Sequence, residues 1–197
     1  MWNPLNTQVI RGDCHPELPR SHQFHRSATY GGGSMSLEEA QVLCSLVQII
    51  KPEHALETGC ESGFSAAYMA LGCSLNGFGK VHTIELNPEW AVKARENLVR
   101  DGVSDWVEVV IQDSLSYINE TPLSFGFALL DTHISFRSTE LEALRHKMLP
   151  GGIVAVHDSS PLHPMKGNCN LLEELRDFGM QLIHLPSPRG LTILQIQ

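Results

Sequence analysis

Long apolar runs are missing from this sequence: no stretch approaches the roughly 18 to 20 consecutive apolar residues that a membrane span needs. Basic residues are in short supply, 14 against 22 acidic ones, for a formal net charge of −8. A protein that lives on nucleic-acid phosphates needs a basic face, so no nucleic-acid partner is expected. Met1 to Arg20 contains no apolar segment of the secretory kind. The five cysteines, Cys14, Cys44, Cys60, Cys73 and Cys169, include no CxxC pair and are odd in number. Cysteines of this sort suit reduced thiols, and a cytoplasmic location is expected. Internal repeats and low-complexity tracts are absent too. What is present is a chain of 197 residues, 42% of them apolar, enough for one well-filled core and too few for two ordinary domains.

Residues 1–35 differ from the rest. Pro4, Pro16 and Pro19, the histidines His15, His22 and His25, and the Gly31-Gly32-Gly33 run sustain no periodicity, and predict an irregular arm ending in a flexible joint. The arm is expected to serve as a lid or a contact within a homodimer. The domain proper spans 36–197. It opens with Ser36 and Glu39 in capping-box spacing, and Leu37, Ala40, Leu43, Cys44, Val47 and Ile50 then recur at helical intervals up to Pro52. Short apolar runs predict strands at 54–58, 81–85, 107–111, 127–131 and 152–157. Between them lie helical stretches near 63–72, 88–100, 115–119, 138–148 and 170–178. Asn87-Pro88 is a helix start and Gly102 a stop. Segments 180–185 and 191–196, separated by Pro186-Ser187-Pro188-Arg189-Gly190, close the chain as a hairpin. Five β-α repeats and a hairpin imply an α/β fold with a mostly parallel sheet and an antiparallel strand at its end.

The most informative stretch is Ala55-Leu56-Glu57-Thr58-Gly59-Cys60-Glu61-Ser62-Gly63-Phe64-Ser65, a strand running through a glycine-bearing turn into a helix. Open α/β sheets bind ligands at that edge. A dinucleotide site would want glycine at position 61, where the backbone approaches a pyrophosphate, but Glu61 stands there and Phe64 takes the third glycine position. A carboxylate would repel the pyrophosphate. S-adenosylmethionine has no phosphate and carries a positive sulfonium, so Glu61 is compatible with it. Glu85 ends the second strand 22 residues beyond Gly63, where a carboxylate can accept both ribose hydroxyls. Gln112-Asp113-Ser114 follows the third strand, where Asp113 can accept from the adenine amino group. The blander account is that each acidic residue merely ends a strand or caps a helix.

The segments 57–63, Ile84-Glu85, Gln112-Asp113-Ser114, Leu129-Leu130-Asp131 and Leu149-Pro150-Gly151-Gly152 resemble those of class I S-adenosylmethionine-dependent methyltransferases, over about residues 36–197. The likeness is greatest to small catechol-type O-methyltransferases and bacterial tailoring relatives. It implies a Rossmann-like seven-stranded sheet in order 3-2-1-4-5-7-6, with helices on both faces. It also implies that Glu57, Gly59, Gly63 and Ser65 cradle the methionine and ribose parts of the cofactor. Glu85 would hold the ribose, Asp113 and Ser114 the adenine, with Asp131 beside the cofactor and Met35 and Ser36 closing over it.

Strands four and five end in Asp131-Thr132-His133 and His157-Asp158-Ser159, and neighbouring strands lie about 4.8 Å apart, so these ends converge. Two carboxylates with nearby hydroxyls suit a hard cation such as Mg2+ or another divalent ion, and the resemblance implies ligands at Asp131, Asp158 and Ser159. The sequence departs from the catechol type in having Ser159 where Asn is usual and Ile134 where a Lys stands. His133 is the first candidate base and His157 the second. A metal-free alternative stays open, in which Asp131 orients cofactor or substrate and His157-Asp158 bond local backbone. The Asn/Asp-Pro-Pro-aromatic tetrapeptide common in enzymes that methylate nucleobase amines or amides is absent after strand four. The expected reaction is therefore methyl transfer to a hydroxyl oxygen of a small molecule. The alternative is a cofactor-binding protein without transferase activity.

Overall fold

The computed structural model describes residues 35–160, 171–178, 180–187 and 189–196. Apart from Met35, the arm expected at 1–35 lies outside them. Apolar residues alternate along the central strands, and the two sets they form pack against different helices. Ala55, Phe127, Leu129 and Ala155 point to one face, Leu56, Ala128, Leu130, Val154 and Val156 to the other. On the first face lie α1 (Leu37–Ile50), α2 (Phe64–Asn76) and α3 (Pro88–Arg100). On the second lie α4 (Ser114–Glu120), α5 (Arg137–Leu144) and α6 (Leu171–Asp177).

The strands are β1 (His54–Thr58), β2 (Lys80–Glu85), β3 (Val107–Ile111), β4 (Phe125–Leu130), β5 (Met148–His157), β6 (Gln181–Leu185) and β7 (Leu191–Gln195). They form one sheet in the order β3-β2-β1-β4-β5-β7-β6. The first five run parallel, and β7 is antiparallel to both β5 and β6. This is the architecture expected. The order reverses between β1 and β4, so the loops after these strands open a crevice at the carboxyl edge, the usual ligand position in such sheets.

Local chemistry sets the ends of the elements. Ser36 and Glu39 form the capping box of α1, and Asn87 accepts the Glu89 amide at 2.8 Å ahead of Pro88 at the start of α3. The clearest departure from expectation is at 138–148. There α5 stops at Leu144, a 3-10 turn covers Arg145–Lys147, and Met148 already pairs with Phe125 as the start of β5. The register shifts before Phe127 pairs with Ile153, and Gly151 absorbs the shift with a φ of 77°. No helix among the described residues is long and apolar enough to cross a membrane.

Candidate functional site

The loop after β1 is held by backbone geometry. Gly59 has a φ of 84°, and a Cβ there would lie 2.5 Å from the Asp131 carbonyl oxygen, so only glycine lets this loop pack on the end of β4. Gly63, with a φ of 86°, precedes α2 and lies against Ala94 of α3. Glu61 between them also has a positive φ, 46°. Its amide donates to Glu85 Oε2 at 2.7 Å, while Glu85 Oε1 accepts the Asn87 amide at 2.8 Å. Glu85 thus ties the glycine loop to the start of α3. A carboxylate has about four acceptor positions, so capacity remains for ribose hydroxyls.

Two cavities open over these residues. One, of about 310 Å³, is walled by Glu61, Ser62, Ser65, Trp90, Asp131 and Arg189 among others. The second, of about 340 Å³, is walled by Leu86, Asp113, Ser114, Leu115 and Phe136. They share Gly59, Glu85, Thr132 and His133. The arrangement fits S-adenosylmethionine. The first cavity is lined by the carboxylates of Glu61, Glu85 and Asp131, suited to a cationic sulfonium and ammonium. Ser62, on its wall, has a buried hydroxyl with no hydrogen-bond partner among the described residues. Burial raises the Glu61 carboxyl above its ordinary range, and the charges of Asp131 and Glu85 push it further the same way. A cation in that cavity would relieve the crowding. The second cavity has apolar walls and ends at Asp113, whose side chain caps α4 by accepting the Ser116 amide at 2.9 Å.

The expected cofactor residues fall in two places. Gly59, Ser65, Glu85, Asp113, Ser114 and Asp131 line the cavities, as does Met35. Glu57 does not. It is fully buried beneath the loop, hydrogen-bonded to the Thr83 hydroxyl, and burial pushes its carboxyl up to about 8 despite bonds from Ser65 and Thr83. Its effect on the cleft runs through Ser65. Ser36 is occupied with the α1 capping box.

The end of β5 places two of the expected residues away from the cavity wall. His157 has 0% exposure and does not reach the cavity wall. Nδ1 donates to Asp131 Oδ1 at 2.9 Å, and Nε2 lies 3.4 Å from Glu39 of α1. Burial works to lower its pKa, but the charge of Asp131 and the bonds to Asp131 and Glu39 outweigh it and raise the ring to about 10. Its two ring nitrogens face Asp131 and Glu39, away from the cavity, so its contact with the cleft runs through Asp131. Ser159 is buried as well, and its hydroxyl accepts from Thr192 at 2.7 Å. The carboxylates of Asp131 and Asp158, together with His157, do bring ligand atoms within 4.8 Å of one another. His133 stands apart, exposed on the wall shared by both cavities, with Nδ1 2.8 Å from Ser135 Oγ.

Residues beyond these expectations hold the site together. Arg137, at 2% exposure, spends all three guanidinium nitrogens on the protein. Nε donates to the Thr132 carbonyl at 3.0 Å and Nη1 to the His157 carbonyl, while Nη2 reaches Asp131 Oδ1 at 2.9 Å and Asp158 Oδ2 at 3.0 Å. Arg189 forks onto Asp158, Nε to Oδ1 at 2.5 Å and Nη2 to Oδ2 at 3.0 Å. Burial acts to raise the Asp158 carboxyl, but Arg189, His157 and Arg137 outweigh it and hold it well below the usual carboxylate range. One turn from Arg137, the buried Glu140 accepts from Thr58 at 3.1 Å, Thr132 at 2.8 Å and Ser114 at 2.5 Å, joining the ends of β1, β3 and β4. A signal for both existed. Arg137, Glu140, Leu141 and Leu144 share one helix face, and two charges on an otherwise apolar face point inward.

A parallel sheet of this order, with a glycine loop after β1, a ribose-type carboxylate after β2 and an acidic cleft between, defines a class I S-adenosylmethionine-dependent methyltransferase. Comparison with known proteins agrees. The methyltransferase-domain family model matches residues 56–159, more than half of the chain, and the chain belongs to that family. It is 27% identical to catechol O-methyltransferase domain-containing protein 1 of Mus musculus, over 98% of this chain and 78% of that protein. It is 39% identical to catechol O-methyltransferase of Mycobacterium tuberculosis over a shorter stretch, 42% of this chain and 36% of the relative. Among solved structures, the O-methyltransferase TomG of Streptomyces achromogenes in complex with SAM superposes with a TM-score of 0.74 at 20% identity, covering 90% of this chain and 88% of that one. At that identity the likeness is one of fold.

Proposed function

We propose that this protein transfers the methyl group of S-adenosylmethionine to a hydroxyl oxygen of a small molecule. The observation that carries this reading is the pair of adjoining cavities that share Gly59, Glu85, Thr132 and His133: Asp113, Ser114 and Glu85 mark a path for the cofactor from the second cavity into the first, and the end of the first at Asp131, Asp158 and Arg189 is left for an acceptor. The O-methyltransferase names of the relatives support oxygen as the nucleophile, and the net charge of −8 supports a small acceptor over a nucleic acid. The described cysteines Cys44, Cys60 and Cys73 are all buried thiols, which supports a cytoplasmic setting.

When bound, the cofactor supplies an electrophilic methyl on a positive sulfur. The chain's own residues then hold the acceptor oxygen in line, exclude water and dispose of the proton. His133 is the exposed imidazole on the shared wall, and we assign it the proton. Nδ1 faces Ser135, 2.8 Å from its hydroxyl and accepting its amide at 3.4 Å; for the other ring nitrogen to take up the acceptor's proton, Nδ1 must carry the hydrogen and donate it to Ser135 Oγ, giving up the weaker bond from the amide. The acidic pair Asp131 and Asp158 does not fit a divalent cation, because guanidinium groups already engage both carboxylates. No step is assigned to a metal.

The test follows labelled methyl from S-adenosylmethionine into a panel of small hydroxylated acceptors. His133→Ala is expected to reduce turnover about 10²- to 10⁴-fold, the ordinary worth of general acid–base catalysis, with a far smaller change in cofactor affinity. Turnover that survives the substitution removes His133 from the reaction. Methyl transfer confined to amines would overturn the oxygen reading.

A further inference from the structure

A divalent ion of the Mg2+ type takes oxygen ligands in near-octahedral geometry at about 2.0–2.1 Å and is held by one or two carboxylates plus water. At the ends of β4 and β5 the side chains for such a site are gathered, Asp131, Asp158 and His157, with ligand atoms within 4.8 Å of one another. The space between the two carboxylates is nevertheless taken. Arg137 Nη2 lies 2.9 Å from Asp131 Oδ1 and 3.0 Å from Asp158 Oδ2, one nitrogen bridging both acids as a bound cation would. Arg189 closes the outer side of Asp158 with both of its oxygens. The Asp131 oxygen that meets Arg137, Oδ1, is also engaged by His157 Nδ1.

Two features show that the arginine is built in. Arg137 is rooted in α5 on its buried face, and its remaining nitrogens are fixed by the carbonyls of Thr132 and His157, on the two loops that carry the acids. A buried guanidinium is costly unless every donor is met, and here the cost is met by the same groups that would otherwise ligate a metal. Asp158 itself sits in the left-handed region, with a φ of 57°, and backbone bonds from Ser159 and Ser160 to the Gly190 and Arg189 carbonyls hold it there. The carboxylate is aimed at the arginines by its own backbone.

We propose that Arg137 is an internal cation standing where a divalent metal would bridge Asp131 and Asp158, so that the site excludes such metals and works without one. Arg137 is a positioning residue: it sets Asp131, Thr132 and Asp158 at the acceptor end of the cleft and does not itself touch the acceptor. The catalytic consequence rests on the methyl-transfer reading above, whereas the exclusion of metal stands on the side-chain geometry alone.

The experiment titrates Mn2+ into the protein and follows the free-ion signal by electron paramagnetic resonance. Wild type is expected to leave the signal undiminished into the millimolar range. Arg137→Ala, shown to be folded by circular dichroism, is expected to remove one equivalent of Mn2+ per chain, and Arg137→Ala combined with Asp158→Asn to lose that binding again. One equivalent bound by wild type, lost on Asp158→Asn, would overturn the proposal. So would a folded Arg137→Ala that leaves Mn2+ free, because the guanidinium would then not be what keeps the ion out. Should Arg137→Ala not fold, the wild-type titration decides alone, a bound equivalent overturning the proposal and a free one sustaining it. Calorimetry of S-adenosylmethionine on the same wild-type sample reads the methyl-transfer assignment separately, so either can fail without the other.

Discussion

Two acidic centres meet α5 one turn apart, at Arg137 and at Glu140, and they are satisfied in opposite ways. Glu140 is surrounded by the neutral hydroxyls of Thr58, Ser114 and Thr132. Asp131 and Asp158 are surrounded by the cations Arg137, Arg189 and His157. Burial raises the Glu140 carboxyl in spite of its hydroxyl donors, whereas Asp158 is held low. The difference matches what each centre supports. The hydroxyl centre ties together loops along the cofactor space and can hold its geometry whether or not Glu140 carries a proton. The ionic centre fixes the acceptor end and depends on every charge in it being present.

The largest way to break the comparison is to remove a cation. Arg137→Leu leaves the buried Asp158 and the partly buried Asp131 facing each other without their bridging partner. It is expected to destabilise the fold by about 3–5 kcal/mol, the usual cost of breaking a buried ion pair. Glu140→Gln keeps an acceptor oxygen for the hydroxyls and is expected to cost about 1–2 kcal/mol, as for one weakened buried hydrogen-bond set. Urea unfolding of both variants measures the gap, and equal losses would erase the distinction between the centres.

Dependence on pH sharpens it further. His157 is raised to about 10 from 6.5, so the stability it contributes is complete below pH 6.5 and is lost as the pH rises through 10. Burial works to raise the carboxyl of its partner Glu39, but bonds from His157 and Ser187 outweigh it and lower it to about 2 from 4.5. That contribution is present above pH 4.5 and lost as the pH falls through 2. Glu57, raised to about 8 from 4.5, removes stability as the pH rises from 4.5 to 8, so its loss precedes and overlaps that of His157. Thermal unfolding is therefore expected to fall from mildly acidic pH toward pH 10. His157→Gln should flatten the limb between 6.5 and 10 and leave the part due to Glu57. An unchanged limb in that variant would show that His157 is not the charged partner of Asp131.

The smallest effects separate what was legible in the chain from what was not. Strand and helix placement followed from apolar alternation and from caps such as Ser36 and Asn87, because burial on two faces of a sheet imposes those periods directly. The cofactor loop was legible for the same local reason: Gly59 answers a positive φ and a close backbone approach, and Glu85 ends its strand. The ionic centre was legible only in part, as the convergence of Asp131 and Asp158 at the ends of two strands, without its arginines. Its members come from α1, α5, the ends of β4 and β5 and the β6–β7 turn, and Glu39 and Arg189 are 150 residues apart in the sequence. Glu39 is the instructive case. Its capping-box role with Ser36 was readable, but its reach to Ser187 and His157 depends on where the hairpin folds back. His157 looked like a base because it adjoins Asp158, and only its tertiary contacts with Asp131 and Glu39 turn it away from the cleft.

The most direct test of the account is calorimetric titration of S-adenosylmethionine into the wild type and into Glu85→Ala. The account predicts one site per chain with micromolar affinity, weakened in the variant by about 10- to 100-fold, as expected for the loss of charge-assisted hydrogen bonds worth about 1.5–3 kcal/mol. Absence of binding to the wild type, or equal affinity in the two proteins, would contradict it.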